Sequence, residues 1–442
     1  MNNEKEFKDL PEGWKWVRLG EVIEETYPGE WGDNPIDNEN IFPVFSTLAI
    51  DYDGRIDFTK AVPRKLNKKK IEKLKLKKGM ILIEKSGGST DTPAGKVAIL
   101  KQDFDGTCSN FIQILKIKYN FCNSYYLFYR LLYNFKNNLI EKYQQRTTGI
   151  INFILKDYFN EYIPLPPLPE QQKIAEILET IDNAIEKTDK IIEKYKRIKQ
   201  GLMQDLLTKG MDENGNIRDE KTHKLKDSPL GRIPEEWEVV RLGEVGNIVS
   251  GSTPSTYNDE YWNGEIVWIT PNDLSNIENI FIEDSSRKIT QKGLKSCSAK
   301  IISANSVVVS SRAPIGYVKV SKVPFATNQG CKSIEYNGKF SPIFLAFLLS
   351  NKVQDMINLG SGTTFQEISK SNLANLLIPL PPLPEQQRIA EILSQIDQTI
   401  EKEEQYKEKL QKIKQGLMQD LLTGKVRVNK LLEVETNELR KS

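Results

Sequence analysis

The phrase PLPPLPEQQ occupies Pro164–Gln172 and returns at Pro379–Gln387. Residues 164–187 and 379–402 agree at 19 of 24 positions without a gap, and 198–208 agrees with 413–423 (IKQGLMQDLLT) at all 11. The stretch between, 188–197 against 403–412, keeps only two identities. Upstream, PEGWKWVRLGEV at 11–22 answers PEEWEVVRLGEV at 234–245 with 9 of 12 identical. Internal repetition at this scale means that one structural unit is written twice. Each copy holds an opening phrase, a long variable body and a repeated tail, over about 11–208 and 234–423.

The tails predict helices. Ile174, Leu178, Ile181, Ile185, Ile192, Tyr195, Leu202 and Leu206 recur at steps of three and four. Ile389, Leu393, Ile396, Ile400, Leu410, Leu417 and Leu421 do the same. That is a heptad seam over about 40 residues, a helix about 60 Å long. Pro169-Glu170 and Pro384-Glu385 suit a first helical turn, where a missing N–H costs nothing and an acid meets the positive dipole end. The PLPP ahead of each cannot be helical and fixes the angle at which the helix leaves its body. Gly424 stops the second tail, and GMDENGNIRDEKTHKLKDSPLGRIP after the first reads as a polar linker. Paired antiparallel, the two tails would form a coiled coil with a body at each end and an approximate internal two-fold axis.

The bodies differ. GMILIEK, KVAILK, EIVWIT and SVVVSS read as strands cut by Gly, Pro, Asn and Asp, with helical patches at Tyr125–Tyr133 and Pro342–Asn351. The expected fold class is therefore α+β: two bodies of mixed strands and short helices, joined by two long antiparallel helices.

Several function classes recede. A single histidine, His223, sits in the charged stretch KTHKLKDS, so Ser-His-Asp and His-zinc chemistry would all have to run through one linker residue. Cys108, Cys122, Cys297 and Cys331 lack CxxC spacing and read as reduced thiols. GGSTDTPAGKV fails as a phosphate loop, because the spacing before Gly95-Lys96 is wrong and Val97 stands where Ser or Thr is needed. No Asn/Asp-Pro-Pro-Phe/Tyr motif of an adenine methyltransferase appears. Asp219-Glu220-Lys221 is a lone D-x-K with no partner acids. No run of about 18 apolar residues indicates a membrane span, and MNNEKEFKDL lacks a signal-peptide core, so a cytoplasmic chain is expected. No catalytic, cofactor or metal-ligating residue is nominated.

The order of opening phrase, variable body, PLPPLPEQQ helix, KDSPLGRIPEEWEVVRLGEV, second body and second helix resembles the specificity subunit of type I restriction–modification systems, over nearly the whole chain. TGIINF at Thr148–Phe153 and GTTFQEI at Gly362–Ile368 also resemble that family's segment before the repeated helix. The resemblance implies target recognition domains at 1–165 and 234–380, conserved helices at 166–208 and 381–424, a linker at 209–233 and a tail at 425–442. It implies that each domain reads one half of a split, asymmetric DNA target. The helices then set the spacing and carry methyltransferase subunits, two copies of one partner meeting two identical segments. Restriction subunits join the complex, and those partners use S-adenosylmethionine, ATP and magnesium, while this chain is non-catalytic. A coiled-coil adaptor that binds proteins through its two bodies is the alternative.

Candidate DNA contacts follow from residue chemistry. Residues 60–78 hold ten Lys or Arg against one acid, Glu72, and Arg64, Lys68, Lys69 and Lys70 are the phosphate candidates. A solvated lysine-rich surface is the plain alternative, because the net charge is only +2. Lys85, Ser86, Ser89, Thr90 and Lys96 among glycines suit backbone approach to phosphates or base edges. Ser310-Ser311-Arg312 falls at the corresponding place in the second body. Arg312 can read guanine, with a surface salt bridge as the plain reading, and Asn328 and Gln329 can read adenine, with a turn amide as the plain reading. Ser252, Thr253 and Ser255 are further phosphate candidates. Trp31, Trp262 and Trp268 read as core.

Overall fold

The computed structural model describes residues 9–35, 39–87, 93–147, 150–219, 221–312, 314–360 and 366–433. Gly88–Thr92 (Ser89 and Thr90 among them), Thr148, Gly149, Glu220 and Gly362–Phe365 of the motifs above lie outside the described residues. The chain divides into two units: residues 1–188 with 406–442, and residues 189–405. Each contains one variable body, the first half of one long helix and the second half of the other.

In unit 1 a four-stranded sheet orders Ile23–Pro28, Ile112–Ile117, Ile81–Glu84 and Val97–Ile99, all antiparallel. A second sheet orders Val62–Lys65, Ile41–Phe45 and Thr107–Cys108, the last pair parallel. Unit 2 repeats this plan with Ile248–Ser250, Cys331–Ile334, Val307–Ser310 and Val318–Ser321, extended by Phe281–Ile282. Its second sheet orders Lys288–Ile289, Trp262–Ile269 and Phe325–Thr327, again parallel at the last pair. The unbroken apolar runs follow from burial on both faces. Successive side chains point to opposite sides of a strand, so Ile81 and Ile83 enter one core while Leu82 enters another. Val307 and Val309 part from Val308 in the same way. The expected helical patches are helices Ser124–Lys136 and Pro342–Asn351. The four cysteines are free, and burial pushes the thiols of Cys108 and Cys122 up to about 12.

The tails are single helices, Leu168–Thr208 and Leu383–Leu422. Within unit 1, Lys414 pairs with Asp182 at 2.5 Å, and within unit 2, Lys199 pairs with Asp397 at 2.5 Å and Lys196 with Glu404 at 2.7 Å. In both units an early residue of one helix meets a late residue of the other, so the helices run antiparallel. The two lysine–aspartate pairs fall at equivalent positions of the repeat. The apolar seam is shared with the bodies: Ile174, Leu178 and Leu421 belong to the core of unit 1, with Leu417 against it. Leu206, Ile389 and Leu393 belong to that of unit 2, with Leu202 against it. Ile185, Ile192, Ile400 and Leu410 are buried, whereas Ile181, Tyr195 and Ile396 are half-buried.

The joint gives several letters of PLPPLPEQQ a structural role. The strand Lys15–Arg18 of the opening phrase pairs with Tyr162–Leu165, and Glu238–Arg241 pairs with Leu377–Leu380 in the same register. Gln171 Nε2 donates to Pro166 O, and Gln386 Nε2 to Pro381 O, both at 2.8 Å. Their Oε1 atoms accept from Asn123 N at 2.8 Å and Ser341 N at 2.9 Å, which ties each helix start to a body helix. Glu170 accepts from Trp14 Nε1 at 3.0 Å and twice from Arg427, at 3.0 and 2.8 Å. Glu385 accepts from Trp237 Nε1 at 3.1 Å and twice from Arg218, at 2.5 and 3.2 Å. So the repeated glutamate does more than meet a helix dipole. It is a buried acid clasped by the tryptophan of PEGW or PEEW and by an arginine from the segment after the opposite helix.

That clasp anchors the segment 209–233, which is largely polar and exposed, at a few buried points. Met211 and Ile233 are buried, Arg218 is 8% exposed, and Leu225–Ser228 pairs with Gly231–Pro234. Arg218 directs its guanidinium at Glu385, and Met211 N donates to the same carboxylate at 2.8 Å. His223 lies in this segment, its Nδ1 accepting from Asp219 N at 3.3 Å. Asp219 Oδ1 accepts from Lys221 N at 3.0 Å, a local turn.

Candidate nucleic-acid interface

Six chain segments converge in each unit on one backbone frame. Lys85 N donates to Phe111 O at 2.8 Å, and Lys85 O accepts from Phe153 N at 2.9 Å. Ser311 makes the same two bonds, to Gly330 O at 2.8 Å and from Ile368 N at 2.9 Å. One residue earlier, Glu84 N donates to Lys96 O and Ser310 N to Tyr317 O. Glu30 N donates to Cys108 O as Ser252 N does to Thr327 O. Ser109 N donates to Phe45 O as Asn328 N does to Ile269 O. The correspondence of Lys85-Ser86 with Ser311-Arg312 is therefore a correspondence of backbone bonds, while the side chains on the frame differ almost everywhere.

In unit 2 the frame brings four expected residues together from three stretches. Thr253 Oγ1 donates to Gln329 Oε1. Arg312 faces Glu367 at 3.7 Å and lies beside Gly330, where an added Cβ would stand 3.3 Å from Arg312 Nε. Asn328 Oδ1 accepts from Gly330 N at 3.0 Å and so makes a turn. Glu367 and Lys332 are the residues the motif reading missed. Lys332, 5% exposed, directs Nζ to Ser311 Oγ at 3.2 Å, Gln329 O at 3.2 Å and Glu367 Oε1 at 3.4 Å. Beneath the loop that carries Thr253, Trp268 Nε1 donates to Ser252 O at 3.1 Å and Trp262 Nε1 to Ser255 O at 3.0 Å. Both tryptophans are buried, and Arg287 stacks over Trp262 at 3.7 Å. Asp273, next to this sheet, is buried, which would raise its pKa, but hydrogen bonds from Ser286 and Thr270 hold it below the usual carboxylate value.

In unit 1 Ser86 Oγ donates to Asn152 Oδ1 at 2.5 Å. Arg64 lies over the Trp31 ring at 4.3 Å and donates to Asn34 Oδ1. Lys68 and Lys69 open the helix Lys68–Leu74 and have no carboxylate within 4.0 Å among the described residues, whereas Lys70 pairs with Glu30 at 3.1 Å. Lys60, Lys73, Lys75 and Lys77 of the same run are also ion-paired, so much of its charge meets a carboxylate inside the unit. Lys96 is corrected: expected at a phosphate or base edge, it turns inward. Its Nζ donates to Thr47 O at 2.7 Å and Ile50 O at 3.0 Å and lies 3.8 Å from Glu84. Glu84 is 2% exposed, and burial pushes its carboxyl up against the opposing pull of Lys96. A signal for the frame was present: P-x-G-x-V stands at Pro93–Val97 and Pro314–Val318 inside otherwise unlike bodies. Gly95 (φ +115°) and Gly316 (φ +108°) adopt the backbone that glycine permits.

On the identical helix segment, Ile198 and Ile413 are exposed, and Gly201 and Gly416 have open space above them. Among the described residues there is no cluster of three or more His, Cys, Asp or Glu able to hold a metal, and no helix long and apolar enough to cross a membrane.

The comparisons with known proteins agree with this geometry. The profile of the type I restriction modification DNA specificity domain matches residues 11–196 and 234–412. The putative type I restriction enzyme MjaX specificity subunit of Methanocaldococcus jannaschii is 33% identical, covering 96% of each chain. The MjaVIII specificity subunit of the same organism is 32% identical, covering 97% of each. The MjaIX specificity subunit is 40% identical over 43% of this chain and 44% of that protein, so that match spans less than half of the relative. Among solved structures, the type I restriction–modification S subunit of M. genitalium matches with TM-score 0.58 and 16% identity, over 94% of this chain and 97% of that one. A chain from a study of complex assembly in a type I system matches with TM-score 0.56 and 24% identity, over 95% and 100%. These two show the shared fold. With both halves matched and the fold repeated in each, the chain belongs to the specificity subunits of type I restriction–modification systems.

Proposed function

We propose that each unit reads one half of a split, asymmetric DNA target and that the paired helices set the distance between the halves. The observation that carries this is the doubled frame: one set of backbone bonds, written twice, presenting Lys85, Ser86 and Asn152 in one unit and Ser311, Arg312 and Glu367 in the other. Fixed backbone with varied edges is what two different half-sites require. The identical IKQGLMQDLLT segments, with their exposed isoleucines and open glycines, suit two copies of one methyltransferase subunit. Restriction subunits join that assembly in the cytoplasm. Methyl transfer and cleavage, with S-adenosylmethionine, ATP and magnesium, belong to those partners, and this chain supplies recognition and spacing. The names of the similar proteins, all specificity subunits, support the reading.

The test is a body exchange. Replacing residues 234–378 with the corresponding body of a relative, and mapping methylated positions in cells that carry the partner subunits, is expected to change one half of the methylated motif and leave the other half and the spacing intact. A change in both halves overturns the modular reading.

A further inference from the structure

One position of the frame holds a cross-strand side-chain pair in both units. In unit 2 Arg312 bridges Glu367 across antiparallel backbone, with 3.7 Å between guanidinium and carboxylate. In unit 1 Ser86 pairs with Asn152 in the antiparallel ladder. The residues just before, Ser311 and Lys85, make the same two backbone bonds, so the two pairs occupy one structural slot. The chemistry in the slot is different. Unit 2 sets a forked donor beside a fixed acceptor, both more than a third exposed (37% and 42%). Unit 1 sets a hydroxyl against a carboxamide and carries no charge.

We infer that this slot is a base-pair reader, taking a G·C pair in unit 2 and an A·T pair in unit 1. The inference rests on the DNA-recognition reading above and adds the identity of one base pair in each half. In the major groove guanine offers two acceptors, O6 and N7, which a guanidinium engages with two donors, and the cytosine opposite offers an N4 amino donor, which a carboxylate accepts. Arg312 and Glu367 present those two functions side by side. Glu367 is not free to swing away, because Lys332 holds Oε1 from the buried side at 3.4 Å while also gripping Ser311 Oγ and Gln329 O. Lys332 is thus a positioning residue. It keeps an acceptor where cytosine has a donor and where thymine would place a repelling O4.

In unit 1 the hydroxyl of Ser86 donates to Asn152 Oδ1 at 2.5 Å, which orients the carboxamide. Asn152 Nδ2 has no partner among the described residues, and Oδ1 retains a second lone pair. One donor and one acceptor on a planar group match adenine N7 and N6–H. A guanine there would set O6 against Oδ1, acceptor against acceptor.

The experiment uses the complex of the full chain with its methyltransferase subunits. Methylated positions give the bipartite motif, the body exchange assigns its halves, and duplexes with single base-pair changes measure discrimination at each position. Arg312→Ala is expected to cut discrimination about tenfold or more at one G·C position of the unit 2 half, with the unit 1 half unchanged. Arg312→Lys, which keeps the charge and loses the fork, should relax the same position while leaving binding to unrelated duplex DNA intact. Glu367→Gln should weaken that position too, and Asn152→Ala should relax one A·T position in the other half. If Arg312→Ala weakens all duplexes alike, or relaxes an A·T position, the slot does not read G·C and the inference is overturned. If the wild-type complex yields no bipartite motif, the DNA-recognition reading itself falls, whatever the variants do.

Discussion

The two units share a frame and differ in how deeply its fastenings are buried. Arg218 is 8% exposed where it clasps Glu385, and Met211 N adds a third type of donor to that carboxylate. Arg427 is 26% exposed where it clasps Glu170. The interhelix pairs reverse the order, because Asp182 and Lys414 of unit 1 are buried and Tyr129 OH also donates to Asp182 at 2.8 Å. Their counterparts Asp397 and Lys199 in unit 2 are half-buried. Equivalent residues in a repeated architecture are therefore buried to unequal depth, and unequal energetic weight is the expected consequence.

The largest expected effect breaks the clasp comparison. Removing one partner of a buried ion pair leaves the other charge unpaired and costs about 3–5 kcal/mol. Glu385→Ala takes from buried Arg218 its two-pronged partner, leaving it Glu236 at 3.8 Å and the Lys209 carbonyl, and leaves Met211 N and Trp237 Nε1 without an acceptor, so a cost at the lower end of that range, about 3 kcal/mol, is expected in chemical denaturation of unit 2. Glu170→Ala leaves a more exposed Arg427 that water can solvate, and about 2 kcal/mol is expected. Hydrogen exchange at Met211 and Trp237, against that at Trp14, assigns each loss to its unit. Equal losses in the two variants would show that burial does not set the difference.

The clasp also marks the limit of what the sequence made legible. The repeat disclosed both long helices, since a heptad seam and identical phrases are local signals. Apolar runs such as GMILIEK and SVVVSS disclosed strands for the same reason. Thr253, Arg312, Asn328 and Gln329 were nominated one by one from residue chemistry, and the fold gathers them. What stayed hidden depends on pairing across long sequence distances. Nothing near Glu385 announces Arg218, and nothing near Arg312 announces Glu367. Lys96 looked like a phosphate ligand because its glycine-rich context is visible locally. The carbonyls of Thr47 and Ile50 that capture it are visible only in the fold. The linker after the first helix keeps most of its polar residues in water, and what its composition hides is the anchoring of Met211, Arg218 and Ile233 in the fold.

A second contrast sits under the slot. At the residue before Lys85 unit 1 has buried Glu84, and at the equivalent place unit 2 has Ser310, whose Oγ accepts from Tyr317 N at 2.8 Å and donates to Pro314 O at 2.8 Å. The serine does not titrate. Burial raises the pKa of Glu84 above its unfolded value, so the folded state binds this proton more tightly than the unfolded state. The stabilising contribution is then fully present below the unfolded carboxylate pKa, near 4.3, and is lost as pH rises through the raised folded value. Wild type compared with Glu84→Gln should thus fare relatively better at pH 4 than at pH 7 in denaturation of unit 1, with no such trend for Ser310→Ala in unit 2. A difference that is the same at both pH values would mean that Lys96 compensates the buried charge fully.

The smallest effect sharpens the comparison at the surface. Unit 1 carries the lysine-rich run, but Lys70, Lys73, Lys75 and Lys77 are already paired with carboxylates, which leaves Lys68 and Lys69 as the exposed cations at the start of that helix. A lysine that neutralises one phosphate releases a counterion and adds about 0.9 to the slope of log K against log salt. Lys68→Ala and Lys69→Ala are each expected to lower the slope by about that amount, equally for target and unrelated duplexes, because a phosphate contact carries no sequence information. Lys70→Ala is expected to change it less, since freeing Glu30 as an anion and removing a paired cation alter a contact that the protein already satisfies internally. If Lys70→Ala lowers the slope as much as Lys69→Ala, the Glu30 pair opens on DNA and the whole run faces the backbone. If none of the three moves it, the run is a solvated surface and unit 1 takes its phosphate contacts elsewhere.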